Sequence, residues 1–171
     1  GICMVDTPKA QGATGFLGEA GTIELSSLSI TSENPYATVI AVAMDDQPIA
    51  SSEQILIQVG TRTRPTGWTQ RPVQWTDNNG EHQEGYEVVN YGEAPWAIAR
   101  NDIDLTLDNP VITTARVLDM NGMVIDSIDL VRQVSSEGQQ QNDTVSLSER
   151  LRQHLHVPED SKYLILTSSR S

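Results

Sequence analysis

The chain reads as an all-β protein, an antiparallel β-sandwich of jelly-roll or immunoglobulin-like type. Three observations carry that expectation. Runs of β-branched and aliphatic residues alternate with polar ones at period two. These runs recur at a spacing of about ten residues. Turn-forming clusters separate them: Asp45 to Pro48, Pro65 to Gly67, Asp77 to Gly80 and Asp119 to Gly122. Period two sends alternate side chains to opposite faces of a strand, so two sheets must cover each other's apolar faces. At 171 residues with 37% hydrophobic content the chain can bury a core, and residues 1–171 are expected as one sandwich domain.

The elements follow in chain order. Residues 22–30 alternate apolar and polar except at Ser26 and Ser27, where the slip predicts a bulge or a bend. Residues 37–44 are more continuously apolar and predict a central strand. Residues 54–59 form the next strand, and the turn between them makes 37–59 a β-hairpin. Short strands are expected at 86–91 and 96–99, and 103–107 alternates cleanly. Residues 111–118 and 123–130 flank the pair Asn121-Gly122, a strong hairpin signal. Residues 162–167 close the fold as a strand. The one short helix expected lies near 148–154, with Ser146 or Ser148 as N-cap, and 135–144 reads as a polar low-complexity loop.

Composition narrows the function classes. The net charge is −12, and lysine occurs only at Lys9 and Lys162. Phosphate backbones are bound by clustered Lys and Arg, so nucleic acid is not an expected partner. No apolar run approaches the ~20 residues of a membrane span, and the opening residues lack the basic and apolar regions of a signal peptide. The single cysteine, Cys3, cannot form an internal disulfide. High acid content with few lysines fits a solvated extracellular surface, so a secreted or cell-surface bacterial location is expected.

Aromatic residues are concentrated. All three tryptophans, Trp68, Trp75 and Trp96, fall in one polar, turn-rich segment with Tyr86 and Tyr91. Flat rings on turn-rich segments suit sugar rings or a protein partner, whereas capping the core is the plainer role for any one of them. Arg62, Arg64 and Arg71 lie beside the rings. Guanidinium groups there can clamp carboxylates or sulfates, stack on rings, or simply pair with neighbouring acids.

Catalytic signatures are absent. There is no G-x-S-x-G, no phosphate-cradling G-x-x-x-x-G-K-[ST] and no G-x-G-x-x-G. Carboxylates are plentiful, but in an acidic chain no pair stands out for glycoside hydrolysis. His154 and His156 are two residues apart and share a face only if their segment is a strand. Neither has a familiar zinc spacing, so no metal ligands are expected. The composition admits a structural calcium ion in a loop of aspartates and carbonyls, and no other cofactor is expected.

Two segments and a closing strand resemble a known family. Met4 to Leu17 is similar to a "VDTPRTQG…GFL" strand and turn. Ser32 to Ala37, Met44 to Ser51, Ile55 to Gly60, Pro65 to Trp68 and Tyr91 to Trp96 follow an "S.NP.A…LDG.PLA.S..LL…NTG…WG.APV" pattern. Val157 to Leu166 resembles a final "LP.D..Y.L" strand. These patterns belong to the C-terminal β-sandwich accessory domains of multidomain bacterial glycoside hydrolases. The resemblance covers most of the chain, and its motifs are structural turns. It implies a non-catalytic module, with a catalytic TIM barrel upstream in the same polypeptide. The chain departs from the pattern at Trp96, where an aliphatic residue is usual, at Tyr91, where a Trp is usual, and around Trp75, where the segment is lengthened.

The expectation that results is a carbohydrate-binding accessory module of a secreted polysaccharide-degrading enzyme, with a plant or algal polysaccharide as partner. Trp75 and Trp96 would stack on sugar rings, with Trp68, Tyr91, Arg64, Arg71 and Asn78 completing the surface. Trp68 and Tyr91, at or beside positions the pattern already occupies, are expected to lean toward packing. The alternative is a structural sandwich that packs against the barrel without binding glycan.

Overall fold

A computed structural model describes residues 1–135 and 150–168. The chain forms two compact units, Gly1–Thr61 with Arg100–Ser171, and Arg62–Ala99.

The first unit is a β-sandwich in which every strand pairing is antiparallel. The larger sheet has seven strands, in the order β1 (Ile2–Asp6), β2 (Ala10–Gly15), β5 (Ala37–Ala43), β6 (Gln54–Thr61), β16 (Tyr163–Ser168), β12 (Ile112–Leu118) and β13 (Val124–Asp129). The smaller sheet has five, in the order β14 (Val131–Ser135), β15 (Arg150–His156), β11 (Ile103–Leu107), β4 (Leu28–Ser32) and β3 (Ile23–Glu24). The chain passes repeatedly from one sheet to the other, so both contribute to one core.

Alternation decides which side chains enter that core. Ile103, Leu105 and Leu107 are buried on β11 while Asp104 and Thr106 face outward. The inner positions of β5, β6, β12 and β16, among them Val39, Ala41, Ile55, Ile57, Ala115, Val117, Leu164 and Leu166, join Leu28, Ile30, Leu105 and Leu155 in a single hydrophobic cluster. Each Val, Leu or Ile side chain among them contributes about 1.5–3 kcal/mol on burial.

The expected hairpins form. β5 and β6 pair in register from Ala37–Thr61 to Ala43–Ile55. β12 and β13 are joined by the Asn121-Gly122 turn, where Gly122 has φ of +80° and the Asp119 carboxylate accepts the N–H groups of Asn121 and Met123, each at 2.8 Å.

Of the two forms expected at Ser26 and Ser27, a bulge or a bend, the chain takes the bend, which turns it through a full reversal. Leu25 N–H donates to Leu28 C=O, and β3 and β4 then pair with each other. Contacts remote in sequence hold this turn: the Asp6 carboxylate accepts from Ser26 N and Oγ, and buried Gln11 accepts from Ser27 N through Oε1. The short helix expected near 148–154 is, from Arg150 onward, the strand β15; 136–149 lie outside the described residues. β15 pairs with β14 on one edge and β11 on the other. Its inward residues Gln153 and Leu155 are buried, so period two and two sets of ladder hydrogen bonds override the helical propensity of Glu149 to Gln153.

Candidate functional site

The second unit consists of two ribbons: β7 (Thr63–Thr66) paired with β10 (Glu93–Ile98), and β8 (Thr69–Thr76) paired with β9 (His82–Asn90). The turn from β7 to β8 is closed by Trp68 N–H donating to Pro65 C=O at 3.1 Å. β9 reaches β10 through Gly92, whose N–H donates to Asn90 Oδ1 at 2.8 Å. A Cβ on Gly92 would lie 2.5 Å from Thr66 O and 2.9 Å from Trp68 N, and its φ is +66°, so only glycine fits this crossing. β10 carries an irregularity between Glu93 and Trp96, with a cis Ala94-Pro95 bond, and Thr66 Oγ1 donates to Pro95 C=O at 2.6 Å.

No residue of this unit belongs to the hydrophobic core cluster. Its rings are therefore at the surface. Trp75 is 50% exposed, Trp96 65%, Tyr86 69% and Tyr91 71%. Trp68 is half-buried and packs edge-to-face on Tyr91, with ring centroids 5.9 Å apart and an interplanar angle of 86°. The Arg64 guanidinium lies over the Trp68 ring, 5.1 Å from its centroid, and Trp68 Nε1 donates to Gln70 Oε1 at 3.2 Å. Trp68, Tyr91 and Arg64 thus support one another.

The sequence-predicted residues divide accordingly. Arg71 is held by Glu87 across the β8–β9 ribbon, with Nη2 2.6 Å and Nε 2.7 Å from the same carboxylate oxygen. Both groups are exposed, so the pair contributes under about 1 kcal/mol. Asn78 is exposed at the tip of the turn between β8 and β9. Trp75 shares a ribbon face with Arg71 and Val73, since residues two apart point the same way. Trp96 lies opposite Pro65 in the β7–β10 ribbon. Sequence reasoning left Tyr86 out of the surface. The structure sets it directly opposite Pro72 on the β8–β9 ribbon, a pairing that only strand register reveals.

The Trp75 indole rests on Gly85. A Cβ there would stand 3.0 and 3.1 Å from the far edge of the ring. Gly85→Val is accordingly expected to lift the half-exposed ring off β9 at a stability cost under about 1 kcal/mol, because the ring has solvent to move into. In a background with Trp68 and Trp96 replaced by Phe, the remaining tryptophan emission should shift to the red and quench more readily with acrylamide. Unchanged emission would mean the ring does not lie on Gly85.

An open groove of about 460 Å³ runs along this unit, lined by Arg62, Arg64, Pro65, Thr66, Gly67, Trp68, Gln70 and Ala97. It offers one indole, two guanidinium groups and an amide, a set suited to a polar ligand carrying negative charge.

The β8–β9 turn is tied by Asp77. Backbone N–H groups of Glu81 and Asn79 donate to its Oδ1 at 3.0 and 2.9 Å, and these bonds hold its carboxyl below the ordinary aspartate pKa. A depressed folded value means the turn's contribution is present above the unfolded aspartate pKa and lost as pH falls through the folded one. The amide resonances of Asn79 and Glu81 should therefore titrate together, with a midpoint below about pH 3.9. A midpoint at or above that value would show that the clamp is not formed.

Among the described residues, no group of three or more His, Cys, Asp or Glu stands ready to hold a metal ion, and no helix is long and apolar enough to cross a membrane. No family model matches the chain, and neither a curated protein nor a solved structure matches it.

Proposed function

We propose that the protein is a non-catalytic binding module for polysaccharide and that Arg62–Ala99 is its binding surface. The observation that carries this reading is the placement of Trp75, Tyr86, Tyr91 and Trp96 at the surface of a unit that contributes nothing to the hydrophobic core. Exposed aromatic faces are costly to leave in water and are the groups that stack on pyranose rings with little loss of side-chain freedom. Arg62 and Arg64 in the groove favour an anionic glycan, such as a uronate or a sulfated polymer, as the preferred class. The setting that goes with this reading is a secreted bacterial enzyme acting on plant or algal polysaccharide, with its catalytic domain elsewhere in the polypeptide. Ligand contacts would be few and partly hydrated, so affinity is expected on the order of micromolar to millimolar.

The test is calorimetry and affinity electrophoresis against a panel of neutral, uronate-rich and sulfated polysaccharides. Trp96→Ala and Trp75→Ala should each weaken binding roughly tenfold, about 1.4 kcal/mol. Tyr36→Ala, in the first unit, should leave it unchanged. Absence of binding to every member of the panel would overturn the reading.

A structural role against a neighbouring domain is the second reading. It is favoured by a separate feature, the exposed Met120, Met123, Val124 and Ile125 on and beside the edge strand β13. In that case the isolated chain should self-associate with rising concentration, Ile125→Lys should suppress the association, and no polysaccharide of the panel should be retained.

A further inference from the structure

His154 and His156 both lie on β15 and point to the outer face of the smaller sheet, opposite the buried Gln153 and Leu155. Asp104 lies on the adjacent strand β11. In the register of the two strands His156 is directly opposite Asp104, and His154 is opposite Thr106, one diagonal step away. Both rings reach the same carboxylate oxygen. His156 Nδ1 stands 3.1 Å and His154 Nε2 3.2 Å from Asp104 Oδ1. The different nitrogens follow from the register: the directly opposed ring uses its near nitrogen and the diagonal ring its far one.

We propose that His154, His156 and Asp104 form a binding site for a zinc-class divalent cation. Two imidazoles and a carboxylate are a donor set that suits Zn²⁺ and its neighbours Cu²⁺ and Ni²⁺, and disfavours Mg²⁺ and Ca²⁺, which take oxygen ligands. The spacing also fits. Around a four-coordinate ion with bonds of about 2.0–2.1 Å, neighbouring donor atoms stand about 3.3 Å apart. The two nitrogens already lie near that distance from the carboxylate oxygen.

The ligands are not yet arranged around an ion position. Instead the His156 ring hydrogen-bonds to the carboxylate and the His154 ring stands at ion-pair distance from it. Binding turns the nitrogen lone pairs and the carboxylate toward the ion, and each neutral ring then carries its proton on its other nitrogen. The three side chains are 32%, 53% and 43% exposed for His154, His156 and Asp104, so they have room for this rotation and solvent supplies the remaining ligand positions. The β-sheet holds the three Cα positions in fixed register, which limits the ordering cost to side-chain torsions. A protein of net charge −12 adds a field that draws cations to its surface.

The test is calorimetric titration of the chelator-stripped full chain with ZnCl₂, followed by Co²⁺ substitution read by its visible d–d bands. One equivalent should bind with a Kd on the order of micromolar. His154→Asn, His156→Gln and Asp104→Asn should each weaken binding by roughly tenfold or more, and the double histidine variant should abolish it. His82→Ala should have no effect. Histidine ring spectra of the wild-type protein provide a readout independent of any variant's folding: the His154 and His156 resonances should move on adding zinc while that of His82 stays. No binding tighter than millimolar, binding unaffected by the histidine substitutions, or movement of His82 alone would overturn the proposal.

Discussion

Asn109→Ala is expected to destabilise the sandwich by about 3–5 kcal/mol, since each buried polar group left unsatisfied costs about 1–3 kcal/mol. Asn109 is fully buried between β11 and β12. Its Nδ2 donates to Ile49 C=O at 2.6 Å and to Ser52 C=O at 2.9 Å. Its Oδ1 accepts from Val111 N–H at 2.8 Å and Ile112 N–H at 3.2 Å. The amide thus uses both donors and both acceptor positions, and it ties the loop after β5 to the start of β12. Alanine leaves the Ile49 and Ser52 carbonyls and the Val111 and Ile112 N–H groups without these partners, in a site that is buried except at Val111. Asn109→Asp should also destabilise, because a carboxylate keeps the two accepted bonds but faces two carbonyls. Urea unfolding should show a lowered midpoint with unchanged m-value. A loss below about 1 kcal/mol would mean that water replaces the amide without strain.

Gly12→Ala carries the second large effect, about 3 kcal/mol or loss of folding, at the upper end of overpacking costs. Gly12 is opposite Ile40 where β2 meets β5. A Cβ at Gly12 would lie 2.2 Å from Val39 O and 3.0 Å from Ile40 Cα. Both atoms are backbone, so relief requires the strands to separate and their ladder to break. Gly60 provides the control within the same sheet. A Cβ there meets only Thr38 Cβ, at 3.8 Å, so Gly60→Ala should be neutral or stabilise by up to ~1 kcal/mol by restricting the unfolded chain. Equal effects at the two glycines in thermal unfolding would contradict the packing of β2 on β5.

The two glycines look alike in sequence, and the difference between them shows where sequence reasoning stops. Alternation at 103–107, the continuous apolar run at 37–44 and the Asn121-Gly122 turn are local signals, and each produced the expected element, the second as the strand Ala37–Ala43. β15 did not follow local propensity. Its helix-favouring residues were outweighed by backbone pairing on both edges, which depends on β11 and β14. The reversal at Ser26 and Ser27 likewise rests on Asp6 and Gln11, partners no local window contains.

The aromatic surface was legible as a concentration of rings but not as an arrangement. Trp68 and Trp75 are indistinguishable by composition. One lies half-buried against Tyr91 beneath Arg64, and the other spreads over the bare backbone of Gly85. The histidine pair shows the same limit from the other side. Two histidines at i and i+2 carry no message until the segment is known to be a strand, and Asp104 joins them only through strand register.

The sequence by itself determined the all-β class, the antiparallel sandwich, most strand positions in the core and the turns that join neighbouring strands. Those follow from short-range chemistry: side-chain alternation, backbone preferences and burial of alternate faces. Tertiary structure alone decided which strands pair, where the aromatic rings are bare, which guanidinium is occupied and which histidines meet a carboxylate. These depend on atoms brought together from positions tens of residues apart, and pairing them is the work of the folded sheets rather than of any segment within them.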